Sequence, residues 1–195
     1  TDLSRHQGGV YTAPGVPQGR GDSSYWWLTS GNPALETYLR GVVMDFVTRY
    51  RPDGLHWDDR TAMPLAPSMD PVSLSRFAGR GNPMGLTDME KWQIDHVQRM
   101  LANIYVAATE EVPTLLISAS PFGIYDKTRI SGYSGYSDCL RDFGTDPEAW
   151  MRSGALDALT PQIYWREGDP GPYFGILLRD WLNNNTSGRP IWPGS

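Results

Sequence analysis

The chain has 195 residues, 39% of them hydrophobic and 20% charged, with 17 Lys+Arg against 22 Asp+Glu for a net charge of −5; this allows one domain, or two very small ones, with a buried core, and argues against wholesale disorder. The acidic balance, with no basic run, argues against nucleic acid as the main partner, and the single cysteine, Cys139, excludes an internal disulfide framework or a Cys-based zinc cluster. No apolar stretch approaches the ~20 residues that span a bilayer, no signal peptide is visible, and 12% aromatics is enough for a core or for a ring-binding cleft.

Residues 1–26, rich in Gly and Pro from Gly8 to Ser24, are expected to be largely loop. Asn32-Pro33 supplies an N-cap followed by Pro at the first helical position. Leu35, Leu39, Val42, Val43, Phe46, Val47 and Tyr50 then recur at helical spacing, which predicts an amphipathic helix over about 33–50. Arg51-Pro52-Asp53-Gly54 stops it, and Gly54-Leu55-His56-Trp57-Asp58 is short enough to be a strand. A long irregular segment, about 60–86, holds four prolines. Thr87-Asp88-Met89-Glu90 has the form of a capping box and predicts a helix to about Glu111, with Trp92, Val97, Leu101 and Ile104 on one face. His96, in mid-helix, is expected at the partly exposed surface.

Thr114-Leu115-Leu116-Ile117-Ser118 is a near-continuous apolar run suited to a strand buried on both faces. A loop rich in Gly, Ser and Tyr follows, 120–144. Thr145-Asp146-Pro147-Glu148 has the form of a second capping box, and Gly154 ends the short helix it opens. Leu156 to Tyr164 predicts a third strand, limited by Pro161. Phe174, Leu177, Leu178 and Trp181 belong to a last helix over about 172–184, and Pro190-Ile191-Trp192 begins a fourth strand. Helix and strand alternate throughout, which is the α/β pattern of parallel strands with right-handed crossovers. Two architectures fit: a small open sheet, or a segment of a (β/α)8 barrel, which needs about 250 residues when whole.

Chemistry concentrates at the three strand ends. Alternation along 54–58 puts Gly54, His56 and Asp58 on one face, Leu55 and Trp57 on the other. Parallel α/β folds carry their active sites at the C-terminal ends of the strands, where Asp58 and the following Asp59 would lie. Like charges crowded together separate in pKa, the condition for pairing an acid with a base or nucleophile. The plainer alternative is a polar strand end, its carboxylates capping loop amides and pairing with Arg60. A metal held by His56, Asp58 and Asp59 is a further option. Ser120 falls at the end of the second strand without a GxSxG elbow, so a hydrogen-bonding role suits it better than nucleophilic attack. Gln162 and Tyr164, with Trp165, offer an amide, a phenol and an indole for sugar hydroxyls and ring stacking, or alternatively a buried polar layer. Glu167 and Asp169 follow in an exposed-looking loop. No glycine-rich piece matches a phosphate loop or dinucleotide fingerprint, and no cofactor is implied.

Asp-Gly-Leu-His-Trp-Asp-Asp (53–59), Ser-Ala-Ser-Pro-Phe-Gly-Ile-Tyr (118–125) and Leu-Asp-Ala-Leu-Thr-Pro-Gln-Ile-Tyr-Trp (156–165) resemble the signatures of the glycosyl-hydrolase-like family 10 proteins, the domain-of-unknown-function 187 group. The likeness runs from about Trp27 to Gly194. It implies a bacterial, secreted or lipid-anchored protein of the cell envelope or exterior with a TIM-barrel core. By this resemblance the chain is a single glycosidase-like barrel domain, incomplete, holding strands four to seven. The family implies cleavage of glycosidic bonds in a polysaccharide, some members being linked to peptidoglycan glycan. The Asp-Gly-x-x-x-Asp pattern also resembles the fourth-strand motif of several retaining α-glycosidase families, whose last Asp is the nucleophile; here that is Asp58. The fifth-strand motif ends in Ser120 instead of a carboxylate, so Asp59 is the first candidate for the proton donor and Glu167 the second. His56, Ser120, Gln162, Tyr164 and Trp165 are the candidate sugar contacts. A non-catalytic carbohydrate-binding protein on the same fold is the alternative.

Overall fold

A computed structural model describes residues 10–11, 27–28, 31–58, 71–85, 88–168 and 170–194. Val10–Tyr11 (β1) pairs antiparallel with Trp27–Leu28 (β2); the rest of the stretch expected as loop, 1–26, lies outside the described residues. Helix α1 spans Pro33–Tyr50, with Asn32 Oδ1 accepting the Ala34 N–H at 3.0 Å. It ends where Arg51 enters the left-handed region at φ 43°, an uncommon conformation for a residue with a Cβ. Arg51 is tied there by its side chain to Glu111 at the end of the neighbouring long helix. Pro52 and Asp53 then lead directly into β3, Gly54–Trp57.

The irregular segment expected over 60–86 contains a helix, α2 (Pro71–Phe77), among its described residues. The long helix α3 is Met89–Glu111. Its N-cap is Asp88, not the Thr87 of the predicted box: the Asp88 carboxylate accepts the N–H groups of both Glu90 and Lys91. Trp92, Val97, Leu101 and Ile104 are buried as expected. His96 is buried too, contrary to expectation, with its ring 4.3 Å from that of Trp92. Burial, then the charges of Arg99 and Arg76, hold its pKa below the usual histidine value.

Strands β3, β4 (Leu116–Ala119) and β5 (Ala158–Leu159) form a parallel sheet in that order. Helix α4 (Pro147–Arg152) leads to β5, and α5 (Phe174–Asn184) follows it. The N-cap of α4 is Asp146, whose carboxylate accepts the Ala149 N–H; Thr145 is instead buried, donating to the Cys139 carbonyl. The expected long third strand is reduced to Ala158–Leu159, with Gln162 bridged in parallel to Phe122 on one side and Gly194 on the other. Where a fourth strand is expected, the described residues show an isolated parallel bridge from Leu159 to Ile191 and no strand.

One face of the sheet carries Ile117, Ala119 and Leu159, packed with Val97, Leu101, Trp150, Leu177 and Trp181 of the helices. The opposite face is not sealed by the described residues. Leu116 is 56% exposed, so β4 alternates between covered and open instead of being buried on both faces. The α1 stripe is open in the same way: Leu35 and Val47 are buried, while Val42, Phe46 and Tyr50 are exposed.

Two polar devices fix the frame. Below the sheet, Asp157 accepts the Ile117 N–H (2.8 Å), the Tyr105 hydroxyl (2.9 Å) and Arg189 Nη1 (3.1 Å), which locks β4 to α3 and to the chain beyond α5. Above it, the 120–144 loop is knotted by carboxylates. Fully buried Asp138 accepts the N–H groups of Lys127 and Arg141. Asp126 accepts from the Thr128 N–H and hydroxyl and from Arg141 Nε. Burial alone would push the Asp126 carboxyl up, but those hydrogen bonds and the guanidinium charge prevail and hold it at about 2. Cys139, within this loop, is fully buried, its thiol 3.2 Å from the Phe122 carbonyl, and burial pushes its pKa well up.

Candidate active site

Each of the three parallel strands delivers a polar side chain to one point. Asp58 lies just past β3, Ser120 just past β4, and Gln162 three residues past β5. Gln162 Nε2 is 3.0 Å from Asp58 Oδ1 and 3.1 Å from the Ser120 carbonyl oxygen. Ser120 Oγ lies 3.3 Å from the same Asp58 oxygen and 3.3 Å from the Trp57 carbonyl. One rung lower, His56 Nδ1 is 2.8 Å from Ser118 Oγ. These rungs follow from register: His56 faces Ser118 across the β3–β4 ladder, and Ser118 faces Ala158 across the next. Paired residues in a parallel ladder share a face, so the open side of the sheet is a polar layer at the C-terminal rim.

The expected site residues divide. Asp58, His56, Ser120 and Gln162 are on this face, with Asp58 and His56 exposed and Ser120 buried. Asp59 lies outside the described residues. Tyr164 is exposed, and Trp165 stands edge-on to Phe122 at 5.7 Å. Both line an open depression with Ile163, Arg166, Glu167 and Phe174. Glu167 is exposed and accepts the Gly175 N–H, in the first turn of α5, at 2.7 Å. Ser118 was missed as a site residue; it is two residues before Ser120, and the i, i+2 rule alone put both on one face. Among the described residues, no group of three His, Cys, Asp or Glu side chains is placed to hold a metal ion. No helix among them is long and apolar enough to cross a membrane.

What the rim can do chemically is orient a carboxylate. Gln162 donates to Asp58 Oδ1, and the Ser120 hydroxyl, with its one hydrogen, lies within reach of both that oxygen and the Trp57 carbonyl.

Comparison with known proteins supplies the family. The family model described as Glycosyl hydrolase-like 10 matches residues 4–171. The chain belongs to that family. It is 23% identical over 166 residues to "Glycosyl hydrolase YngK" of Bacillus subtilis (strain 168), covering 83% of this chain and 32% of that protein. It is 22% identical over 165 residues to "Glycosyl hydrolase DigH" of Escherichia coli (strain K12), covering 80% of this chain and 36% of that protein. The chain thus spans about a third of the length of these curated relatives. The family is described as glycosyl-hydrolase-like, and both of these relatives are named glycosyl hydrolases.

Proposed function

We propose that the full-length protein is a glycoside hydrolase acting on a bacterial polysaccharide, with cell-wall glycan the first substrate to test. The observation that carries this reading is the convergence of Ser120 and Gln162 on Asp58 at the mouth of the parallel sheet. Asp58 acts as the nucleophile, or as the stabiliser of an oxocarbenium-like transition state, with Asp59 as first candidate for the proton donor and Glu167 as second. His56, Tyr164 and Trp165 bind and stack on sugar. The matching relatives' names support the reaction class. We place the protein in the cell envelope or outside the cell, where such a polymer is met.

The same reading takes β3, β4, β5 and the 191–194 segment as consecutive strands of a (β/α)8 barrel. The open face around Leu116 and the exposed Val42–Phe46–Tyr50 stripe support it, since further β/α units would cover both. The experiment is direct: the full-length protein is incubated with purified cell-wall glycan strands, and new reducing ends are counted. Wild type should release them, and Asp58→Asn should lower turnover by about 10³-fold or more while glycan binding survives. Undiminished turnover in Asp58→Asn overturns the assignment. A second reading, glycan binding without cleavage, is favoured by the serine at the fifth-strand position and by Glu167's engagement at a helix end; binding without product would establish it.

A further inference from the structure

We propose that Gln162 is a positioning residue: it does not hold a sugar hydroxyl but holds Asp58, through an amide whose direction the Ser120 backbone dictates. This rests on the reading of Asp58 as the reacting carboxylate.

The argument starts with the amide's orientation. A carbonyl oxygen only accepts, so the Gln162 atom 3.1 Å from the Ser120 carbonyl must be the nitrogen. That nitrogen has two hydrogens. One goes to the Ser120 carbonyl and the other to Asp58 Oδ1 at 3.0 Å, which leaves no N–H for a substrate.

The backbone behind the amide is equally fixed. Gln162 N donates to the Pro121 carbonyl at 2.9 Å, and parallel bridges join Gln162 to Phe122 and Gly194. Gly123 has no side chain where the Gln162 carbonyl passes, and a Cβ there would strike that oxygen and the Trp165 ring. Gln162 is therefore a short rigid arm, spanning the ends of three strands to reach a residue 104 positions earlier in the chain. Ser120 Oγ, 3.3 Å from the same Asp58 oxygen, is the weaker second support. A group held this way has its carboxylate plane set before substrate arrives, and a misplacement of about 1 Å costs on the order of 10²-fold in rate.

Substitution separates this role from sugar contact. Q162M keeps the length of the arm and removes the donor; Q162E keeps the shape and puts a second carboxylate against Asp58. Among the described residues, His56 lies on the same strand and face as Asp58, and in sequence Asp59 and Arg60 follow it. None of them is changed by either variant, while Ser118 and Ser120 on β4 are neutral. The measurement is kcat and KM against pH for the full-length protein on glycan strands, with D58N alongside and thermal melting of each variant.

The expected result is that Q162M lowers kcat at least about tenfold with KM within about twofold. Both variants should also move the acidic limb of the pH profile upward, Q162E further, because a donor to the charged form is lost and a like charge gained. If Q162E does not melt cooperatively, Q162M alone decides. A raised KM with kcat and the acidic limb unmoved makes Gln162 a substrate contact and overturns the proposal, as does wild-type behaviour. Turnover that survives D58N is a different failure: it overturns the reading of Asp58 beneath the proposal.

Discussion

The Glu167 carboxylate takes the Gly175 N–H at 2.7 Å, closing the first turn of α5, whose N-cap Tyr173 makes no side-chain cap hydrogen bond. A carboxylate at a helix N-terminus satisfies an orphan amide and meets the positive end of the helix dipole. Glu167 therefore already has a structural task, which ranks it behind Asp59 as proton donor. Glu167→Gln retains an oxygen for Gly175 and should keep turnover within a few-fold of wild type. Asp59→Asn should lower it by roughly 10²-fold or more. Steady-state rates on glycan strands check both, and the reverse pattern exchanges the two roles.

Gly123 lies where the extensions of β4 and β5 touch. The Cβ of Gly123→Ala would meet the Gln162 carbonyl oxygen, a backbone atom that cannot swing aside. The variant should lose about 1–3 kcal/mol of stability. Gly135, with open space around it, provides the control: Gly135→Ala should change stability by no more than about 0.5 kcal/mol. Urea unfolding of the three proteins makes the comparison.

Asp126 gives the loop above the sheet an acid dependence. Its carboxyl is held at about 2 in the fold, below the roughly 3.9 of an unfolded aspartate. A depressed folded value contributes stability that is whole above about pH 4 and is lost as pH falls toward 2. Asp126→Asn should therefore be less stable than wild type at pH 6, with the gap narrowing between pH 4 and 2. Melting temperatures across that range test the sign; a gap that widens in acid contradicts it.

The apolar stripe of α1 tests the barrel. Phe46 is 43% exposed and its ring lies 5.2 Å from that of Tyr50. If further β/α units cover it in the full-length protein, Phe46→Asp buries a charge and should cost about 2 kcal/mol or more. A stripe that faces water would leave Phe46→Asp near neutral, and that result would count against the barrel.

The strand ends were legible because alternation is local: Asp58, Ser120 and Gln162 could each be placed at a rim from a few neighbouring residues. Their meeting was not, since Gln162 reaches Asp58 across 104 positions and only the register between strands sets that approach. For this reason the sequence put Gln162 with the sugar contacts and left Ser118 unassigned. The helix caps went astray differently. Thr87 and Thr145 fitted the Thr-x-x-Glu spacing, but the neighbouring Asp88 and Asp146 cap with charged oxygens. In the second case Pro147 at the first helical position already singled out Asp146, the same signal that placed Asn32 correctly. The α1 face was read from spacing alone, and spacing does not tell which elements will lie against it.

The thiol inside the 120–144 loop gives the protein a built-in clock. Cys139 is the chain's single cysteine, and burial both hides it and keeps it protonated. An alkylating reagent can reach it only when the packing around it opens. The pace of labelling thus reports how often this part of the molecule breathes, with no probe introduced.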